Sequence, residues 1–211
     1  MEYTEKFRIF VENIQTMRGV YVFLADGFED VEALATVDVL RRGGVDVKTV
    51  SIAEEPFVNS SHGVAVGADL TYDDFLDDAG NGRPTEKDFF IFPGGMPGSR
   101  ALAECEPLMD LMKEHYELGG SVAAICAAPG LVLSQLGDAL KGHDVTCFDG
   151  FEKALEENGA HFVARPAVHS GRIVTGRSSG HTIAFAMEIL RTVKDDSAVS
   201  EVEWGMMLKT E

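Results

Sequence analysis

Cys126 lies where a short apolar run passes directly into residues that favour a helix. The run from Val122 to Ile125 carries no charge, which predicts a buried parallel strand. Pro129 suits the first turn of the following helix, where its missing N–H costs nothing. A cysteine at such a turn has the geometry of a nucleophile elbow, and the start of the helix would favour its thiolate. The alternative is a small buried cysteine that ends a strand.

Carboxylates open the first predicted helix, at Glu29, Asp30 and Glu32. Glu29 and Glu32 are three residues apart and share a helix face, whereas Asp30 points elsewhere. One carboxyl of that face could reach the Cys126 thiol across the strand ends. A protonated carboxyl would donate a hydrogen bond that stabilises the thiolate, and an ionised one would oppose it. The alternative is that these acids only complement the helix dipole.

Two glycines, Gly94 and Gly95, directly follow a predicted buried strand over residues 88–92. Glycine permits unusual backbone angles and a close approach of the backbone to other groups. The N–H groups of this pair, together with the N–H of Ala127, could form an oxyanion hole beside Cys126. The alternative is a tight turn between a strand and a helix.

A cysteine hydrolase would also need a histidine as its base. Cys126 is followed by Ala127, so no histidine is adjacent to the nucleophile. We expect His62 in a hairpin turn, His181 at a helix start and His115 on a helix surface. All six histidines are expected to be solvated or structural: His62, His115, His143, His161, His169 and His181.

Strands and helices alternate along the chain, and this order positions the reactive stretches. In the first half we predict strands over 19–24, 45–51 and 88–92, a hairpin within 54–70, and helices over 29–42, 99–103 and 107–118. In the second half we predict a helix over 131–136, a weak strand over 144–148, a helix over 151–158, a hairpin over 167–175 and a last helix over 181–193. The first helix is expected to bury an apolar face formed by Val31, Leu34, Ala35, Val37, Val39 and Leu40, and Ser178-Ser179 are expected to cap the last helix. The alternation predicts an α/β sandwich with a mostly parallel sheet, whose ligands bind at the carboxyl ends of the strands.

The chain is expected to consist of an N-terminal extension over residues 1–18, one domain over 19–193 and a tail over 194–211. Met17, directly before the first strand, is an alternative start of the natural protein. The tail either frays or docks through Trp204. We find no repeat or long linker that divides the domain further.

Composition argues against several classes of partner. The formal net charge of −17 disfavours nucleic acid and anionic membranes, because both require a basic surface. The 3 cysteines lack C-x-x-C spacing, so we expect no disulfide framework, no metal site and a reducing compartment. No apolar run approaches the roughly 18 residues of a membrane span, and we expect a cytoplasmic protein.

Five stretches together resemble the ThiJ/PfpI superfamily, also called the DJ-one family: residues 25–32, 37–44, 61–64, 92–98 and 123–129. The resemblance implies a flavodoxin-like three-layer sandwich that usually forms a homodimer. It places the helix with Asp38, Arg41 and Arg42 near the dimer interface, although a solvated helix face is the alternative for these residues.

The same resemblance implies the roles of the site residues. Cys126 matches the reactive, oxidation-prone thiol of the family, and Glu32 matches the carboxyl that hydrogen-bonds it. Gly94, Gly95 and Ala127 match backbone groups around the sulfur.

Three departures from the family pattern bear on function. The PfpI-type proteases carry a histidine directly after the cysteine, where this chain has Ala127, which argues against proteolysis. The human-like branch carries a histidine at the place of Phe148, so this chain is closer to the bacterial branch. The common Gly-Pro pair before the last helix is replaced by Ser178-Ser179. The candidate pocket residues are Glu29, His62, Phe148, Ser179 and His181.

The resemblance implies an enzyme without metal or organic cofactor that acts on small reactive carbonyls or early glycation adducts, as a glyoxalase or deglycase does, in stress protection. In this hypothesis the Cys126 thiolate adds to an aldehyde and Glu32 moves the proton. The alternative is a non-catalytic redox sensor, in which Cys126 oxidises to a sulfinate held by Glu32 and the Gly95 region. An intracellular protease or amidase is the third hypothesis.

Overall fold

The computed structural model describes residues 19–79 and 83–209. The expected N-terminal extension, with the alternative start at Met17, lies outside these residues. The strands are β1 (Val20–Leu24), β2 (Val47–Ser51), β3 (Phe57–Asn59), β4 (Ala65–Gly67), β5 (Leu70–Thr71), β6 (Phe89–Phe92), β7 (Ser121–Ile125), β8 (Asp144–Val145), β9 (His161–Phe162), β10 (Ala167–Ser170) and β11 (Ile173–Gly176). The α-helices are α1 (Asp30–Arg42), α2 (Tyr72–Ala79), α3 (Gly98–Glu104), α4 (Glu106–Glu117), α5 (Ala128–Leu131), α6 (Glu152–Glu156), α7 (Thr182–Val193) and α8 (Asp196–Gly205).

Seven of these strands form one sheet in the order β10-β11-β7-β6-β1-β2-β5. Every neighbouring pair is parallel except β10 and β11, which form an antiparallel hairpin at one edge. The strands β1, β6 and β7 therefore lie side by side, with Phe92 paired to Ala124 near their carboxyl ends. The expected α/β sandwich with a mostly parallel sheet is confirmed.

Alternate residues of the central strands point to opposite faces of the sheet, and both faces are buried. On one face Tyr21 and Phe23 of β1 pack with Phe90 of β6. The Phe23 and Phe90 rings meet edge to face with their centroids 5.1 Å apart. On the other face Val22 packs in a second core with Leu40 of α1. These two cores on either side of one sheet produce the three layers.

The segment after β7 differs from the expected helix over residues 131–136. The helix α5 begins at Ala128 and ends at Leu131. A 3-10 segment over Leu133–Leu140 follows, and Gly137 interrupts it with a φ of 58°. The prediction is wrong in extent because apolar periodicity does not distinguish one helix from two short turns joined at a glycine. The strand β5 is also missing from the prediction, since two residues are too few to form a pattern.

The helix α1 buries only part of the expected apolar face. Val37, Val39 and Leu40 are buried as predicted. Val31 and Leu34 are exposed, whereas Ala33, Val37 and Leu40 are buried in the core that includes α7. Residues 33, 37 and 40 recur at helical spacing and form the stripe that faces the sheet. The exposed pair leaves an apolar surface on α1.

The C-terminal tail contains the helix α8 and is not frayed. Asp195 begins this helix by accepting a hydrogen bond from the N–H of Ala198 at 2.9 Å. The helix packs through Val199 and Val202, which belong to a buried core, whereas the Trp204 side chain is 56% exposed. The prediction that the tail docks through Trp204 is therefore wrong, because the indole lies on the opposite side of α8 from the buried valines.

The start of α7 also differs from the prediction. A 3-10 turn over Ser179–His181 precedes the helix, and no side chain of this turn caps it. The Ser178 hydroxyl lies 3.0 Å from His181 Nδ1 and so bonds within the turn. The expected cap by Ser178-Ser179 is wrong because the imidazole competes for the hydroxyl.

His115 is buried, contrary to the expectation of a helix-surface residue. Its ring stacks on Phe90 with centroids 3.9 Å apart. Its Nε2 faces the carbonyl oxygens of Ser121 at 3.0 Å and Asp88 at 3.2 Å, so this nitrogen carries the proton. Burial lowers the pKa of His115 to about 4, although both carbonyls raise it. The neutral imidazole thus joins α4 to the strands β6 and β7.

We predict that acidification destabilises the protein through His115. Between its ordinary pKa of 6.5 and its folded pKa of about 4, the unfolded chain binds a proton that the folded chain does not. Each pH unit in this window therefore costs about 1.4 kcal/mol of unfolding free energy. His115→Gln keeps a donor for the carbonyls but cannot titrate, so its stability should fall less steeply. Urea unfolding of both proteins at pH 7, 6 and 5 measures the difference, and parallel pH profiles would contradict the prediction.

Candidate active site

The carboxyl ends of β1, β6 and β7 bring three chain turns together. Cys126 follows β7, Gly94 follows β6 within two residues, and Glu29 lies in the turn that joins β1 to α1. The N–H of Glu29 donates to the carbonyl of Gly94 at 2.9 Å, which ties two of these turns together. The parallel order of the strands thus places a thiol, a glycine pair and a set of carboxylates at one edge.

Cys126 has a left-handed backbone conformation, with a φ of 66°. A residue other than glycine in this region stores about 1–2 kcal/mol of strain. Two backbone hydrogen bonds hold the turn: the Cys126 N–H donates to the carbonyl of Gly176 at 3.0 Å, and the Phe148 N–H donates to the Cys126 carbonyl at 2.8 Å. This is the strained strand-to-helix turn of a nucleophile elbow.

Glu32 lies in the first turn of α1 and is only 1% exposed. Its Oε2 accepts a hydrogen bond from the Gly94 N–H at 2.8 Å. Its Oε1 is buried and has no partner in ordinary hydrogen-bond geometry among the described residues. Glu29 begins the helix, and its Oε2 accepts from the Glu32 N–H at 2.8 Å. The Glu32 carboxyl is therefore anchored on one oxygen only.

The absence of a side chain at Gly94 allows this carboxyl to meet Cys126. A Cβ at position 94 would clash with Glu32 Oε2 and would lie 2.5 Å from the Cys126 Cβ. Gly95 has a φ of 92°, and a Cβ there would lie 2.5 Å from the carbonyl oxygen of Gly27. Both glycines are therefore required by the close approach of other groups.

The N–H groups of this edge have different partners from those expected. The Gly94 N–H binds the Glu32 carboxyl, so it does not face the sulfur, and the expectation for this group is corrected. The N–H groups of Gly95 and Ala127 are the ones that lower the pKa of the Cys126 thiol. The difference arises because the buried carboxylate is a stronger acceptor than a thiol and takes the nearest donor.

Burial and charge shift the pKa values of the two reactive groups. Burial, together with the negative charge of Glu29, raises the pKa of Glu32 to about 7, although the Cys126 thiol and the Gly94 N–H lower it. Burial and the Glu32 carboxylate raise the pKa of Cys126 to about 12, although the N–H groups of Ala127 and Gly95 lower it. Burial and the Glu32 carboxylate thus outweigh the expected lowering of the Cys126 pKa by the helix dipole.

The two groups thus titrate as a pair that shares protons. While Glu32 is a carboxylate, its charge keeps the proton on the sulfur. A proton on Glu32 removes that repulsion and supplies a donor for a thiolate, which makes the sulfur easier to ionise. Near neutral pH the carboxyl can change its protonation state, and Cys126 reactivity follows it.

The candidate pocket residues divide into two groups. The imidazole of His62 lies on the β3–β4 hairpin, with Nδ1 2.6 Å from Asp30 Oδ2, so it belongs to the same cluster as Glu29. Phe148 is about half exposed and touches the site through its backbone N–H. Ser179 and His181 lie in the turn before α7, and among the described residues no hydrogen bond joins them to Cys126 or Glu32.

The pairing of Asp30 with His62 is absent from the sequence-based site. Asp30 also accepts a hydrogen bond from the Ser60 hydroxyl at 2.5 Å. These contacts connect residues 30 or more apart in the chain, and no local pattern reports them. One signal could have suggested these contacts. Asp30 follows the turn after β1, and the hairpin that contains residues 60–63 is expected beside the same turn.

We assign no metal ion to the one group of possible ligands found near the site among the described residues. Ligand atoms of Glu29, Asp30 and His62 lie within 4.8 Å of one another. Both oxygens of Asp30 and the Nδ1 of His62 are already engaged in hydrogen bonds, however. A bound cation would have to break these contacts, so the donor set fits a hydrogen-bonded cluster better.

Two cavities of the described structure lie away from the site. One of about 450 Å³ is lined by Arg41, Lys48 and Asp69, and one of about 300 Å³ is lined by Lys87 and Lys194. Both lie at the amino ends of β1 and β2, opposite Cys126. Among the described residues no helix has the length and apolar character that a membrane span requires.

The fold and the site define a class: a flavodoxin-like α/β protein with a cysteine nucleophile elbow beside a buried glutamate. Residues 18–192 match the DJ-1/PfpI family, and the chain belongs to this family. The resemblance drawn from the sequence motifs is confirmed.

Relatives with known names span several kingdoms. The chain is 33% identical over 192 residues to Protein DJ-1 homolog A of Arabidopsis thaliana. This match covers 91% of this chain and 47% of the relative. It thus spans about half the length of that relative. It is 32% identical over 166 residues to the glutathione-independent glyoxalase DJR-1.2 of Caenorhabditis elegans, covering 79% of this chain and 83% of the relative.

Solved structures of the family share the fold. Drosophila melanogaster DJ-1beta superposes with a TM-score of 0.80 at 28% identity, covering 92% of this chain and 100% of the other. A mutant of the DJ-1 superfamily protein STM1931 from Salmonella typhimurium gives a TM-score of 0.77 at 31% identity, covering 90% of this chain and 98% of the other.

We predict that Glu32→Gln makes Cys126 ionise at lower pH. The amide carries no charge to raise the thiol pKa, and its N–H₂ group can donate to the sulfur. The midpoint of Cys126 alkylation by iodoacetamide should fall by roughly 1–3 pH units. Glu117→Gln, on the exposed end of α4, is the matched control and should behave as wild type. An unchanged or higher midpoint in Glu32→Gln would show that the carboxyl does not control the thiol.

Proposed function

We propose that the protein converts small reactive carbonyl compounds through addition of the Cys126 thiol, with Glu32 as the group that moves the proton. The observation that carries this proposal is the Glu32 carboxyl, 1% exposed, beside a thiol on a strained turn. Burial raises the pKa of this carboxyl to about 7. A general acid or base is most effective when its pKa lies near the operating pH. The name of the Caenorhabditis elegans relative, a glutathione-independent glyoxalase, supports the same class of substrate.

The first step is addition of the thiol to an aldehyde. Glu32, as a carboxylate, takes the proton from the Cys126 sulfur while the sulfur bonds to the carbonyl carbon. Glu32 then returns that proton to the carbonyl oxygen, which gives a neutral hemithioacetal. No electron acceptor is needed, and the N–H groups of Gly95 and Ala127 stabilise negative charge on the sulfur before the bond forms.

The second step yields a hydroxy acid from a 2-oxoaldehyde such as methylglyoxal. Glu32 removes the hydrogen on the carbon bound to sulfur as a proton, which gives an enediolate, and returns it to the neighbouring carbon. The hydroxyl proton on the sulfur-bearing carbon passes to the oxygen of that neighbouring carbon, so a hydroxy thioester forms. The resulting thioester is hydrolysed by water, which releases lactic acid and restores the thiol. In the deglycase form of this proposal the Cys126 sulfur displaces the amine of a hemiaminal adduct: the C–S bond forms, the C–N bond breaks, and Glu32 passes the thiol proton to the leaving amine. The resulting hemithioacetal then follows the same isomerisation and hydrolysis.

A redox-sensing role is the second candidate. Cys126 is partly exposed, and the two N–H donors with a protonated Glu32 could hold the oxygens of a sulfinate. A Toxoplasma gondii DJ-1 solved in oxidised form shares the fold, with a TM-score of 0.79 at 26% identity. We do not propose proteolysis, because Ala127 takes the place of the adjacent histidine.

Incubation with methylglyoxal tests the proposal. We predict that the purified protein forms lactate and that Cys126→Ala abolishes this activity, because the sulfur forms the covalent intermediate. Cys105→Ala is the control and should retain activity, since this residue follows α3 and lies outside the site. Absence of lactate, combined with stoichiometric oxidation of Cys126 by dilute peroxide on mass spectra, would favour the redox role instead.

We also propose that the protein forms a homodimer through α1. Val31 and Leu34 are exposed apolar residues three positions apart on this helix, and closed two-fold dimers are the commonest assembly. Such a surface is buried when two copies pair.

Leu34→Asp is predicted to convert the dimer to a monomer, because it places a charge in the apolar surface. Light scattering at micromolar concentration measures the mass. Leu76→Asp changes an exposed leucine of α2 and should leave the mass unchanged. A wild-type protein of monomer mass would contradict the proposed dimer.

A further inference from the structure

Three hydrogen bonds join Glu29, Glu32 and Gly94 into a closed ring at the reactive edge. The Glu29 N–H donates to the Gly94 carbonyl at 2.9 Å. The Gly94 N–H donates to Glu32 Oε2 at 2.8 Å. The Glu32 N–H donates to Glu29 Oε2 at 2.8 Å, which closes the ring. Because each of these residues both donates and accepts, one of them cannot shift without stretching a bond to another.

The ring determines where the Glu32 carboxyl lies relative to the thiol. Glu32 Oε2 and Cys126 Sγ both lie within 3.1 Å of the point where a Cβ at position 94 would stand. The carboxyl and the sulfur therefore share the space that the missing side chain of Gly94 leaves open. The Thr36 hydroxyl also donates to the Glu32 carbonyl at 2.7 Å. Side chains thus hold the Glu32 backbone at its N–H, through Glu29, and at its carbonyl.

Glutamate is an unusual residue to begin a helix in this way. Serine, threonine, aspartate and asparagine are preferred, because their short side chains reach the first free N–H groups of the helix. Asp195 begins α8 in that ordinary way, by accepting from the Ala198 N–H at 2.9 Å. Glu29 has a longer side chain, and ordering it costs more conformational entropy. Capping of α1 alone therefore does not favour glutamate at this position.

We propose that Glu29 is a positioning residue, whose side chain holds the Glu32 carboxyl against the Cys126 thiol by closing the ring. This inference rests on the proposed function, in which the Glu32 carboxyl receives the thiol proton. Glu29 acts through Glu32, and its role requires no proton transfer of its own. The other titratable groups beside its carboxylate are Asp30 and His62, whose ligand atoms lie within 4.8 Å of it.

Two substitutions separate the hydrogen bond of Glu29 from its charge, and a third serves as the control. Glu29→Ala removes both the acceptor and the charge. Glu29→Gln keeps an acceptor oxygen at the same reach and removes only the charge. Asp195→Ala is the matched control, because it removes the same kind of helix-capping bond from α8, which carries no residue of the site.

The pH midpoint of Cys126 alkylation by iodoacetamide reports the position of the carboxyl, whether or not the protein forms lactate. Glu29→Ala should lower this midpoint by roughly 1–2 pH units, because the displaced carboxylate no longer opposes the thiolate. Glu29→Gln and Asp195→Ala should stay within about 0.5 unit of wild type, since neither displaces the carboxylate. A wild-type midpoint in Glu29→Ala, or an equal fall in Glu29→Gln or Asp195→Ala, would overturn the proposal.

A double-mutant cycle shows whether Glu29 acts through the Glu32 carboxyl. The variant Glu32→Gln has no carboxylate to displace, so adding Glu29→Ala should leave its alkylation midpoint unchanged. A further fall in the double variant would mean that loss of the cap only loosens the turn around Cys126. That outcome would also overturn the proposal.

Lactate formation from methylglyoxal provides a second readout. Glu29→Ala should lower kcat roughly ten- to a hundred-fold with little change in KM, because the base is misplaced while substrate binding remains. Glu29→Gln should recover most of this loss, and Asp195→Ala should resemble wild type. A loss of equal size in Glu29→Gln, or a wild-type kcat in Glu29→Ala, would contradict the positioning role. If wild type forms no lactate, the proposed function fails, and the alkylation midpoints still decide whether Glu29 positions the carboxyl.

Discussion

The carboxyl of Glu32 and the thiol of Cys126 meet across the backbone of Gly94, and the reactive edge depends on this contact. The two groups come from residues 94 positions apart in the chain, one at the first turn of α1 and one directly after β7. The thiol and the carboxyl each depend on a neighbouring group for their role in proton transfer. The buried carboxyl needs an anchor for one oxygen, which the Gly94 N–H supplies at 2.8 Å. The thiol needs a base that is available near neutral pH, and the buried carboxyl supplies that.

The fold provides the contact through strand order and through backbone conformations that few residues tolerate. Adjacent parallel strands β1, β6 and β7 bring their carboxyl ends together. The left-handed turn at Cys126 directs the thiol out of the strand, and hydrogen bonds to Gly176 and from Phe148 hold it there. Substitution at Gly94 would force the carboxyl away from the sulfur. Local strain and close packing thus maintain the relative position of the two groups.

The local parts of this arrangement could be predicted from the sequence. Three features depend only on residues close together in the chain: the apolar run before Cys126, Pro129 at the start of the next helix, and the glycine pair after β6. The mostly parallel sheet and the elbow follow from such patterns, and the family motifs place Glu32 beside the thiol. Where apolar periodicity was the only signal, part of the buried face of α1 and the extent of the helix after β7 were predicted wrongly.

The parts that could not be predicted depend on distant contacts. The direction of the Gly94 N–H depends on which acceptor is nearest once three elements have packed. His115 is buried because two strands present carbonyls to it, although its position in α4 resembles that of a surface residue. The His62–Asp30 bond joins a hairpin to a helix across 32 residues. The raised pKa of Cys126 likewise depends on burial and on the Glu32 carboxylate, which only the packed chain brings to the thiol.

The central claim is that Glu32 holds or releases a proton near neutral pH because it is buried beside the thiol. Carbon-13 NMR of the glutamate side-chain carboxyls, with Glu32 assigned by comparison with Glu32→Gln, measures this directly. The account predicts that the Glu32 carboxyl titrates with a midpoint of about 7. A midpoint close to the ordinary value of 4.5 would contradict it, because Glu32 would then be a fixed carboxylate with no proton to exchange with Cys126.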